Sequence, residues 1–133
     1  MVYLFSYLAA LAVFVPLDMV WLAATAGRLY RPILGDILLA HVSMAPAVLF
    51  YAAFPAGLAL FAIVPALKAG RMASALWLGA LFGLFAYGTY DLTNQATLRN
   101  WTSMLTLFDM AWGGIVSGLS ALVAAWIASR LAH

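Results

Sequence analysis

Asp18 and Asp109 each stand three residues before a tryptophan, in Asp18-Met19-Val20-Trp21 and Asp109-Met110-Ala111-Trp112, and each interrupts an apolar stretch. A carboxylate at the centre of a membrane helix costs roughly 2.5 to 3.5 kcal/mol on insertion scales, so a pair of them points beyond mere anchoring. Desolvation favours the neutral acid, and two carboxyls at one depth can share a proton. Three kinds of protein use that chemistry. A proton-coupled transporter exchanges the proton for a polar or cationic substrate. A membrane-embedded enzyme, or a subunit of one, uses the pair as acid and base on a lipid or around a divalent ion. A structural or partner-binding subunit uses the acids to set helix register.

Composition places these acids in a bilayer. Hydrophobic residues make up 68% of the 133 and charged residues 8%, with mean hydropathy +1.07, far above the roughly 45 to 50% apolar usage of soluble domains. The net charge of +2 is small and its basic residues are scattered, which argues against nucleic acid as a partner and against a polybasic membrane patch. The absence of cysteine excludes dithiol redox chemistry, thiolate metal sites and disulfides.

The chain reads as one transmembrane domain over 1–133, an all-α four-helix bundle with spans at about 2–26, 41–67, 72–90 and 101–127. A short interfacial helix is expected between the first two spans, within Gly27 to Ala40, where Leu34, Ile37 and Leu38 fall at helical spacing. Ala24-Thr25-Ala26 has the form of a signal-peptide cleavage site. The apolar run before it exceeds the roughly 7 to 15 residues of a signal core and no Lys or Arg precedes it, so it reads as a retained helix. Pro16 predicts a bend in span one, and Pro46, Pro55 and Pro65 predict kinks in span two. Gly79 with Gly83, and Gly114 with Gly118, form two G-x-x-x-G motifs that predict close helix contact, within the chain or across a homodimer. Trp77, Trp101 and Trp126 read as interfacial anchors.

Alternating helix directions bring distant residues to one level. Asp18 lies eight residues before the end of span one and Asp109 eight after the start of span four, so both sit about 12 Å below the same face. Polar residues then line up in stripes: Phe14, Asp18, Trp21 and Thr25 on span one; His41, Met44, Val48, Tyr51 and Pro55 on span two; Tyr87, Tyr90, Asp91 and Asn94 on span three; Thr102, Thr106, Asp109, Gly113, Ser117 and Ser120 on span four. Four such stripes predict a polar pocket inside the bundle. Plainer roles stand beside this one. Asp18 and Asp109 would then be satisfied structural acids, Asp91 would pair with Arg99, His41 would lie at the surface, and Trp21 and Trp112 would simply cover the carboxylates.

No Gly-rich phosphate loop, G-x-S-x-G elbow or i, i+4 histidine pair is present, so no catalytic residue and no cofactor is assigned. Nor is a metal site assigned, although Asp18, Asp91, Asp109 and His41 form a cross-helix set whose geometry the sequence leaves open. Basic residues split evenly, with Lys68, Arg71 and Arg130 on the terminal side against Arg28, Arg31 and Arg99. The amino terminus tips the balance toward cytoplasmic termini, and a near tie is also what a dual-topology protein shows.

Leu17-Asp18-Met19-Val20-Trp21-Leu22, Leu49-Phe50-Tyr51, the run Tyr87-Gly88-Thr89-Tyr90-Asp91-Leu92-Thr93-Asn94-Gln95-Ala96-Thr97-Leu98, and Asp109-Met110-Ala111-Trp112-Gly113 together resemble the small bacterial four-span membrane proteins of the domain of unknown function 2177 family. The resemblance covers nearly the whole chain. It implies a multi-pass protein of the bacterial inner membrane and assigns no activity. The expectation drawn from the residues is an intramembrane pocket for a small molecule or lipid, with proton-coupled transport as one use. Asp18 and Asp109 are its protonatable pair, Asp91 and Asn94 its gate or ligand groups, and Tyr51, Tyr87 and Tyr90 its hydrogen-bonding walls. His41, Trp21 and Trp112 stand beside them.

Overall fold

In hydrocarbon the backbone has no water to bond, so apolar segments of this length satisfy themselves as helices. The computed structural model describes residues 1–132. Four helical stretches follow one another: α1 (Val2–Leu34), α2 (Met44–Lys68), α3 (Ser74–Thr97) and α4 (Ser103–Leu131). No strand forms among the described residues. Of the four, α1, α2 and α4 are long and apolar enough to cross a membrane. The remaining helix, α3, runs 24 residues and carries the polar stretch from Tyr90 to Gln95 at its end. The fold is an all-α membrane bundle.

Neighbouring helices run antiparallel. Lys68 at the end of α2 donates to the Tyr3 hydroxyl near the start of α1 at 3.0 Å, and Tyr7 donates to the Ala52 carbonyl at 3.0 Å. At the other end of the bundle, Gln95 of α3 donates to the Ser103 hydroxyl of α4 at 2.9 Å, and the Thr102 hydroxyl caps α4 by accepting from the Leu105 N–H. Gly70, at φ 66, supplies the left-handed residue that the tight α2–α3 connection requires.

Two helices contain a widened π turn, Ala26–Tyr30 in α1 and Ala59–Ile63 in α2. Each sits directly before an X-Pro pair, Arg31-Pro32 in one case and Val64-Pro65 in the other. Proline lacks an N–H and its ring presses on the carbonyl four residues back, and a wider turn relieves that contact. In both cases the N–H just before the proline reaches five residues back, Arg31 to the Ala26 carbonyl and Val64 to that of Ala59. The short helix expected after span one is therefore a single turn, Arg31–Leu34, joined to α1 through the π turn. Residues 35–43 are non-helical, so the helical reading of Ile37 and Leu38 does not hold.

Small residues bring α3 against α4. A Cβ on Gly79 would lie 2.6 Å from both the Ala121 Cβ and the Ser117 carbonyl, and one on Gly83 would overlap the Gly113 carbonyl. Both G-x-x-x-G faces are thus used inside the chain. Around this contact, Phe14, Phe54, Leu58, Ile63 and Val116 form the core with several alanines, the Phe14 and Phe54 rings 4.7 Å apart.

Helix α3 continues through the polar run to Thr97, with Asp91 buried on it. One expectation is corrected here. Trp101 is buried rather than an interfacial anchor. It packs with Leu34 and Leu105, meets Tyr90 edge to face, and donates to the Thr106 hydroxyl at 2.9 Å. Trp77 and Trp126 are exposed.

Candidate functional site

Between the helices lies a cavity of about 630 Å³. Asp18 and Trp21 of α1, Tyr51 of α2, Tyr87 and Tyr90 of α3, and Asp109 and Trp112 of α4 all reach its wall. Helical spacing explains the selection: Asp18 and Trp21, Tyr87 and Tyr90, and Asp109 and Trp112 are i, i+3 pairs on their helices.

Asp18 is 5% exposed and holds two donors. The Tyr51 hydroxyl donates to Oδ2 at 2.5 Å, and Trp112 Nε1–H donates to Oδ1 at 2.9 Å. Asp109 is 6% exposed and its Oδ1 accepts from the Tyr30 hydroxyl. That hydroxyl in turn accepts from Trp21 Nε1–H at 3.0 Å. The two indoles stack, centroids 4.7 Å apart and planes 5° from parallel. The two Asp-x-x-Trp motifs are crossed: the tryptophan of each serves the acid of the other, directly on one side and through Tyr30 on the other.

Asp91 is fully buried, and neither of its oxygens has a hydrogen-bond partner. It does not pair with Arg99. An ionised carboxylate buried without a partner is costly, so Asp91 is a candidate proton holder.

Not every residue expected at the site reaches it. Asp91 is buried off the cavity wall, and Asn94, half-buried one turn further along α3, is also off it. His41 is exposed in the non-helical segment, although its neighbours Ala40 and Val42 line the cavity. Met44 and Val48 are likewise exposed, so of the span-two stripe only Tyr51 reaches the wall. Among the described residues no three His or Asp side chains gather closely enough to hold a metal ion. The set Asp18, Asp91, Asp109 and His41 is therefore not brought together as a metal centre.

Tyr30 and Arg31 also line the cavity, and helical spacing in the sequence does not single them out. The π turn of α1 carries them there. The available signal was Pro32, whose position predicts a distorted turn just before it.

Neither a curated protein nor a solved structure matches the chain. A family model does, over residues 3–126, described as "Predicted membrane protein (DUF2177)". The match takes in every residue of the cavity wall. The chain belongs to this family of predicted membrane proteins.

Proposed function

We propose that this membrane protein binds a small molecule or lipid in the cavity between its helices, and that its buried acids, Asp18 and Asp109 on the wall and Asp91 off it, couple occupancy to proton movement. The observation that carries the reading is the convergence of Asp18 and Asp109, from opposite ends of the chain, on one cavity wall. A volume of about 630 Å³ falls in the range of about 300 to 1,000 Å³ typical of small-molecule sites. Acids inside a membrane protein are costly and mark ligand or proton pathways more often than packing.

The test is mass spectrometry of the full chain released gently from its membrane. Wild type carries a co-purified ligand, and Ala86→Trp, which fills the cavity from a wall position, loses it while keeping its thermal unfolding. The same adducts on both proteins, or none on either, would remove the reading.

The family resemblance supports a place in the bacterial inner membrane, and the charge balance supports cytoplasmic termini. Because the chain lacks cysteine, single cysteines at Ala69 and Asp36 can be labelled with an impermeant maleimide on intact cells. Cytoplasmic termini predict that only the Asp36→Cys protein reacts from outside, whereas labelling at both positions would indicate dual topology.

A further inference from the structure

Charge and surface narrow the ligand class. The donors on Asp18 are a phenol and an indole, and the donor on Asp109 is a phenol, so neutral groups hold both acids. Arg31 is the one basic side chain on the cavity wall among the described residues, and it is exposed. The titratable groups around the two acids are Tyr30 and Arg31 from α1, Tyr51 from α2, and Tyr87, Tyr90 and Asp91 from α3. On the wall two carboxyls, Asp18 and Asp109, stand against the one guanidinium, which leaves a single formal negative charge unmatched. In a medium of low dielectric that charge favours a monovalent cation and opposes an anion.

The remaining wall decides what kind of cation. Trp21, Tyr30, Tyr87 and Trp112 offer aromatic surfaces of the sort that attract cations. Leu22 and Phe50 add aliphatic and aromatic surface. The volume far exceeds that of an inorganic ion, and no cluster of ligating side chains gathers to hold one. We infer that the cavity takes a hydrophobic organic cation, its charge set against Asp18 and Asp109 and its apolar body against the aromatic wall. This rests on the cavity being a ligand site, as proposed above.

The experiment is isothermal titration of the full chain in lipid nanodiscs with tetraphenylphosphonium and, separately, with neutral triphenylphosphine oxide, empty nanodiscs serving as blank. The cation is expected to bind about tenfold tighter than the oxide or better, and Asp18→Asn and Asp109→Asn are each expected to weaken it about tenfold, with Asp109→Glu retaining it. Equal binding of both probes would overturn the cation inference while leaving the cavity a binding site. Binding of neither would overturn the inference and the ligand-site reading together. If the Asn variants fail to fold, the comparison of the two probes on the wild-type chain still decides.

Discussion

Trp21 and Trp112 lie face to face, 4.7 Å apart and 5° from parallel, and each sends its indole N–H toward the acid three residues before the other. The stack is what lets the motifs cross. On helices that pack side by side, the i+3 position of one motif comes level with the first position of the other, so a repeat in sequence becomes a reciprocal clamp in space.

Trp112→Phe keeps a ring in the stack but removes one of the two donors on Asp18. The expected loss is about 1 to 3 kcal/mol, the cost of leaving a buried acceptor short of a partner. It is read from reversible unfolding in mixed micelles. Combined with Asp18→Leu, which removes the acceptor, it should cost less than the sum of the two changes, since both remove one bond. Full additivity would mean that this bond contributes nothing.

Tyr30 is the other half of the clamp. Tyr30→Phe deprives Asp109 of its hydroxyl donor and the Trp21 N–H of its acceptor, so a loss of about 1 to 3 kcal/mol is expected here too. Trp21→Phe, which removes only the outer bond, should cost less. An equal or larger loss for Trp21→Phe would show that the relay through Tyr30 is not the route by which Asp109 is held.

The sequence reveals some of this site and hides the rest for identifiable reasons. Asp18, Tyr51, Tyr87, Asp109 and Trp112 are legible because helix period and antiparallel order together set which residues share a face and a level. Tyr30 is hidden because a π turn breaks the period that the reading depends on, and only Pro32 hints at the break. Asp91 lies on the α3 stripe that its spacing predicts, but helix period alone does not tell that it is buried off the wall while Tyr87 and Tyr90 are on it. His41 is misplaced because α2 begins three residues later, at Met44, and leaves it outside the helix. By its aromatic type Trp101 reads as an anchor, but its N–H finds Thr106 and its ring finds Leu34, so packing prevails over type.

Gly83 and Gly27 offer a matched test of the α3–α4 contact. A Cβ on Gly83 meets Ser117 Cβ at 2.6 Å and the Gly113 carbonyl closer still, whereas one on Gly27 meets nothing within 4 Å. Gly83→Ala should therefore destabilise by about 1 to 3 kcal/mol through overpacking. Gly27→Ala should be neutral or stabilising, because alanine is the better helix former. Equal thermal stability of the two variants would mean that the helices can slide apart without cost.

Asp91 gives the most direct access to the proton. Its oxygens are buried without a partner, and an ionised carboxylate in that setting is costly, so the wild-type protein at neutral pH should show the infrared carbonyl stretch of a protonated carboxyl that resists exchange with heavy water. Asp91→Asn is neutral and of the same size, so the fold should survive while that band disappears. Asp91→Leu, similar in size and without a polar group, should lose the band as well. A wild-type spectrum without the band would mean that Asp91 is held as an ion inside the bundle, and its reading as a proton holder would fall.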